Sequence, residues 1–237
     1  MEFNDRILKI REQERLSHIQ MYSDDSLDAA NTWVHKPVKT VLDLLPRLNK
    51  SKFLHILDLG CGIGRNSIPI AQFFRDCMIQ IDCIDILDIA IEKLEILAEQ
   101  KGISDKIHGM VNTIDEFDIP RGYYDLIITV SALEHVSSFE VFSNKLEEIR
   151  NGLVQSGIAC LILNSEVHEV HKSTGIEQLP QFEVNLSTEV LESLLFQKFS
   201  GYKILKNTKK QQQYEIPRED GTYILSTTVV TYIVQNE

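Results

Sequence analysis

Long apolar runs, paired cysteines and an excess of basic residues are all missing from this 237-residue chain. No apolar run approaches the ~20 residues that span a bilayer, so no membrane partner is expected. The opening Met1-Glu2-Phe3-Asn4-Asp5-Arg6 is not a basic segment followed by an apolar one, and no secretory signal is expected. Cys61, Cys77, Cys83 and Cys160 make no Cys-x-x-Cys pair and no framework of short spacings. They read as reduced, mostly buried thiols in a cytoplasmic protein. Lys and Arg number 24 against 35 Asp and Glu, a net charge of -11. Binding nucleic acid over a broad surface needs clustered cations. The one short basic cluster, Lys203, Lys206, Lys209 and Lys210, reads as a solvated edge, so a small-molecule substrate fits best. There is no Gly-x-Ser-x-Gly elbow, Walker loop or His-Glu-x-x-His. His168 and His171 have metal-compatible i, i+3 spacing but no identifiable third ligand, so no metal is expected.

What is present is a composition of 43% hydrophobic and 25% charged residues, that of a globular protein. Residues 1–50 read as a polar helical extension, with Ile7, Leu8, Ile10 and Leu16 among Arg, Glu and Gln, and a second amphipathic stretch after Pro37. Tyr22 or Trp33 in this extension is a candidate lid residue. From residue 51 to 237, strands and helices alternate as one domain. The expected strands are 55–59, 78–84, 107–111, 124–130 and 157–164, and the expected helices 66–75, 87–100, 139–152 and 187–198. Such alternation implies βαβ units and a parallel sheet with helices on both faces. Tyr202–Leu205 and Thr222–Val234 are β-rich with no helix between them, so they pair antiparallel. Five parallel strands closed by an antiparallel hairpin predict a Rossmann-like α/β sheet of seven strands.

The most informative segment runs from His55 through Ile56-Leu57-Asp58-Leu59 into Gly60-Cys61-Gly62-Ile63-Gly64-Arg65-Asn66-Ser67. A buried strand meets three alternate glycines, and a helix follows. Glycines let the chain turn tightly and approach a ligand closely. A dinucleotide loop has Gly-x-Gly-x-x-Gly, but here Arg65 holds the third position and the glycine falls one residue early. The pattern Asp-x-Gly-x-Gly-x-Gly resembles motif I of the class I S-adenosylmethionine (SAM) methyltransferases. Within that class, Asp58-Leu59-Gly60-Cys61-Gly62-x-Gly64-Arg65-Asn66-Ser67 is similar to the tellurite-resistance methyltransferases.

This resemblance implies SAM as cofactor, with Asp58, Gly60, Cys61, Gly62, Gly64 and Asn66 lining the amino-acid and ribose side. Asp85 ends the second strand, where a carboxylate can accept from both ribose hydroxyls, and Ile86 follows it. In the family an acid after the third strand binds adenine. Thr113 stands there instead, followed by Ile114, so adenine contacts depart from the pattern. Asp82, inside the second strand, reads as a structural carboxylate with a partner of its own. Tyr124 to Val130 continues as Ser131-Ala132-Leu133-Glu134-His135, similar to motif IV. That places Val130 and Ser131 beside the methionine moiety and makes His135 the candidate base or positioning donor, while Asp125 opens the strand as a structural acid. The resemblance identifies an enzyme moving a methyl group to a small molecule, with a chalcogen oxyanion or a thiol-like nucleophile as one candidate. Two other readings remain. An NAD(P)-dependent oxidoreductase calls for a glycine at position 65, and a regulatory protein would keep SAM without catalysis.

Overall fold

Strands that are apolar on both faces need helices on both sides, and the computed structural model has that arrangement. It describes residues 10–12, 15, 16, 36–218 and 221–237. The strands are β1 (Leu54–Leu59), β2 (Ile79–Asp85), β3 (Ile107–Val111), β4 (Tyr124–Val130), β5 (Leu153–His171), β6 (Glu177–Gln178), β7 (Lys203–Arg218) and β8 (Gly221–Gln235). They form one sheet in the order β3-β2-β1-β4-β5-β8-β7, with the short β6 paired to β5. β1 to β5 run parallel, and β8 lies antiparallel between β5 and β7. The sheet therefore has eight strands where seven are predicted. The addition is the two-residue β6, too short to leave a periodic trace.

Alternate residues of β1 separate two cores. Ile56 joins Val41, Ile70, Phe74 and Leu94 on one face, while Leu57 and Leu59 join Phe142, Leu146, Leu191 and Leu195 on the other. The helices are α1 (Lys39–Leu42), α2 (Ser67–Phe73), α3 (Asp88–Lys101), α4 (Phe139–Gly152) and α5 (Thr188–Lys198). α4 and α5 start on serine caps, Ser138 Oγ accepting from Val141 N–H and Ser187 Oγ from Val190 N–H. α3 stops at Gly102 in the left-handed region. Residues 10–12, 15 and 16 are helical. Tyr22 and Trp33 lie outside the described residues.

The largest departure from expectation lies in β5. Its pairing with β4 ends at Ile162, level with Val130, yet the strand continues to His171 beside β8. Residues 163–171 with their partners on β8 and β7 thus overhang the sheet's C-terminal edge by about 30 Å. The predicted strand ended at 164 because Asn164-Ser165-Glu166 and His168-Glu169 are polar. In the structure Ser165, Val167 and Glu169 are buried while Glu166 and His168 are exposed, the period of two of a strand. β7 likewise runs on to Arg218, through the four lysines, all exposed on the edge strand as the sequence suggests.

Candidate active site

The turn after β1 brings the motif together. Gly60, Gly62 and Gly64 all have positive φ (74°, 53° and 88°), a conformation other residues rarely adopt. A Cβ on Gly60 would lie 2.3 Å from Ala132 Cβ, and one on Gly64 2.4 Å from Leu94 Cδ1. Two of the three glycines thus let β4's exit and α3 approach this turn. The backbone N–H groups of Gly60 and Cys61 both donate to Ile84 O, fastening the loop to the end of β2.

Asp85 sits opposite. Its Oδ2 accepts from Gly62 N–H at 2.8 Å and its Oδ1 from Leu87 N–H at 3.0 Å. The carboxylate that the sequence assigns to ribose is therefore fixed in orientation by the glycine loop itself. Asp82, the competing acid, is held by Tyr124 Oη–H at 2.8 Å, with His108 Nδ1 at 3.0 Å. It has the structural partners expected of it. Asp125 likewise accepts from His55 N–H and pairs with Lys52.

Asp58 is buried and accepts from Ser67 Oγ–H at 2.6 Å. Burial, and secondarily the negative charge of Asp85, push its carboxyl from 3.8 up to about 6, against the pull of Ser67 and Arg65. The fold therefore favours the protonated acid. That contribution is present in full below about pH 4 and is lost as pH rises through 6. A rise of that size corresponds to about 3 kcal/mol. Asp58→Asn should leave stability unchanged below pH 4 and raise it by up to that amount above pH 6. Urea unfolding at pH 4 and pH 7.5 checks this, and a variant equally or less stable at pH 7.5 contradicts it.

The remaining predicted residues ring the same edge. Cys61 is buried, and desolvation raises its thiol well above the ordinary range, so it packs rather than reacts. Asn66 Oδ1 accepts from Val38 N–H, tying the segment before α1 to the motif. Ile86 is half exposed at the rim. Thr113 Oγ1 caps the next turn by accepting from Glu116 N–H, and Ile114 faces Gly60. Val130 ends β4, and Ser131 leaves it with φ 52°.

His135 follows in a 3₁₀ turn, Leu133–His135. Its Nδ1 lies 3.0 Å from Glu183 Oε2, and its ring stands 4.8 Å from that of Phe182. The Glu183 side chain has no exposed surface, and its Oε1 is 3.5 Å from Arg11 Nε. The sequence reading missed Glu183, because 48 residues separate it from its partner. It also missed the neighbouring Glu134, which is buried and accepts from both the backbone N–H and the side-chain amide of Asn164. Burial raises the Glu134 carboxyl. Among the described residues no group of three or more metal-ligating side chains gathers. His168 instead lies 2.7 Å from Glu177 on the surface of the overhang.

Strand order, the antiparallel β8 and the glycine turn facing Asp85 are those of a Rossmann-like methyltransferase fold. Residues 56–157 match the protein family described as "Methyltransferase domain". The ubiquinone biosynthesis O-methyltransferase of Rickettsia conorii is 32% identical over 117 residues, 48% of this chain and 37% of that protein. The chain spans 37% to 57% of the length of this and two further such relatives. TehB from Haemophilus influenzae superposes with a TM-score of 0.64 at 17% identity, over 90% of this chain and 65% of that one. A geranyl diphosphate methyltransferase in complex with SAM gives 0.56 at 12% identity, over 84% and 85%. At those identities the likeness is one of fold.

Proposed function

We propose that the protein transfers the methyl group of SAM to an acidic hydroxyl of a small, ring-bearing acceptor. SAM would supply a methyl on a cationic sulfur, open to in-line displacement. The residues present suit that ligand. Asp58 is a buried acid whose ionisation a nearby cation would favour, Asp85 is a carboxylate fixed beside the glycine turn, and Thr113 and Ile114 stand on the far side.

The observation that carries the choice of acceptor is the His135–Glu183 pair. A buried carboxylate accepting from Nδ1–H fixes the imidazole tautomer and leaves the basic lone pair at Nε2. A hydroxyl must lose its proton as the new bond to carbon forms, and His135 Nε2 is the atom to receive it. A selenium, tellurium or sulfur nucleophile needs no such base, so the pair favours oxygen over the chalcogen reading that the motif I resemblance suggests. The ring of Phe182 beside His135 supports an aromatic acceptor. The relatives' names include an O-methyltransferase of ubiquinone biosynthesis, which agrees with this reading. The four free thiols, three of them buried, suit a reducing cytoplasm, and no described helix is long and apolar enough to cross a membrane.

The test is incubation with SAM and a panel of catechols, simple phenols, amines, small thiols, selenite, tellurite, a DNA duplex and a tRNA pool, read as S-adenosylhomocysteine. Turnover of a phenol or catechol is expected. Turnover confined to thiols, selenite or tellurite overturns the hydroxyl assignment, and turnover confined to nucleic acid overturns the small-molecule one.

A further inference from the structure

Three distant stretches of chain meet at one guanidinium. Arg11, from the helical N-terminal residues, places Nε 3.5 Å from Glu183 Oε1 and Nη2 3.3 Å from Asp115 Oδ2. Asp115 belongs to the loop after β3, two residues past Thr113, and its Oδ1 also accepts from Ser137 N–H at 2.9 Å. Glu183 lies between β6 and α5 and presents its other oxygen to His135. Arg11 is only 28% exposed at the side chain, Asp115 17% and Glu183 not at all, so the charges meet largely out of water.

We propose that Arg11 is a positioning residue which sets the proton affinity of His135 through Glu183. The inference rests on the reading of His135 as the base. A lone buried carboxylate against Nδ1 would strongly favour imidazolium, which cannot accept a proton from an acceptor. With Arg11 on the opposite oxygen, the negative charge of Glu183 is shared. The carboxylate still orients the ring, but His135 keeps its Nε2 lone pair to lower pH. Among the described residues, the charged or titratable groups set against His135 include Glu183, its chain neighbour Glu134, and beyond them Asp115 and Arg11. Arg11 is the cation of this group, so its removal takes away a charge that offsets the acids. Since Arg11 also grips the loop carrying Thr113 and Ile114, the same contact ties the cofactor side of the site to the base.

The experiment follows the His135 imidazole by NMR titration in the full chain, with the resonance assigned by its loss in His135→Gln. Arg11→Gln should raise the His135 midpoint by about half to one pH unit, the effect of removing a unit charge on the far side of one carboxylate at high effective dielectric. Arg11→Lys, which keeps the charge, should stay nearer the wild type. A midpoint unmoved in Arg11→Gln, with an unchanged circular dichroism spectrum, overturns the proposal, because a merely structural arginine would not set it. If Arg11→Gln does not fold, Arg11→Met, which keeps the aliphatic stem and removes the charge, replaces it: a raised midpoint is expected, and a fall or no change overturns the proposal. Failure of the base assignment is read separately. Turnover of the active acceptor at wild-type rate by His135→Gln rejects that assignment whatever the titration gives.

Discussion

His135→Gln is expected to lower kcat on a phenolic acceptor by about 10²- to 10⁴-fold, the range that positioned general bases contribute. The affinity for SAM should be unchanged, because no predicted cofactor residue is touched. Glutamine is close to histidine in reach and can still donate to Glu183 Oε2, so the Phe182 wall and the Glu183 carboxylate should stay in place. Glu183→Gln should reduce kcat less, since it removes only the charge that orients and supports the imidazole. Its pH–rate profile should lose its acid limb toward lower pH, because the remaining imidazole is less readily protonated. Steady-state kinetics from pH 5 to 9 separate these outcomes. A His135→Gln enzyme with wild-type kcat would assign the ring to packing alone.

Asp85→Ala is expected to weaken SAM by roughly 10- to 150-fold, the loss of charge-assisted hydrogen bonds of about 1.5–3 kcal/mol. The structure adds a second source for this loss. Asp85 also accepts from Gly62 N–H and Leu87 N–H, so its removal cuts one of the ties between the glycine loop and β2 as well as deleting the acceptor. Asp85→Asn keeps one oxygen for the loop and should fall between the two. Calorimetric titration with SAM measures both, with NAD in parallel as the competing cofactor. Unchanged SAM affinity in a folded Asp85→Ala variant would reject the ribose assignment, and binding of NAD alone would reject the class.

The parts of this protein that depend on local pattern were legible in the sequence. β1, β2 and β4 are continuous apolar runs, and the glycine spacing needs only neighbouring residues to be read. Asp85 could be placed because the end of β2 is marked by polarity. The overhang was not legible, since Asn164 to His171 is a strand whose inward face carries Ser165 and Glu169, polar residues satisfied by partners far away in sequence. Ser165 Oγ donates to Thr228 O, and Glu169 is paired with Arg218. The acid behind His135 was hidden for the same reason. Nothing local distinguishes a glutamate that will be buried against a histidine from one on the surface. Arg11 sits in a polar, helical stretch where an arginine is unremarked until the fold sets it between two carboxylates.

The position of β8 has a consequence for how the molecule comes to exist. This strand is made late in the chain, yet it is an interior strand, with β5 on one side and β7 on the other. Until residues 221–235 emerge, β5 presents a long open edge, and β7 has no neighbour to pair with. Leu161 and Leu163 on one face and Ile158 and Cys160 on the other meanwhile await Val230, Val234, Val229 and Ile233. The pairings that join β8 to β5 connect residues some 50 to 80 positions apart, as between Asn164 and Val229 or Ile158 and Gln235. Contacts of such separation form slowly and leave unpaired strand edges exposed to other chains in the interval. During synthesis the nascent protein therefore carries a formed β3-β2-β1-β4 half and an unfinished β5-β8-β7 half, and chaperone demand should concentrate on the second.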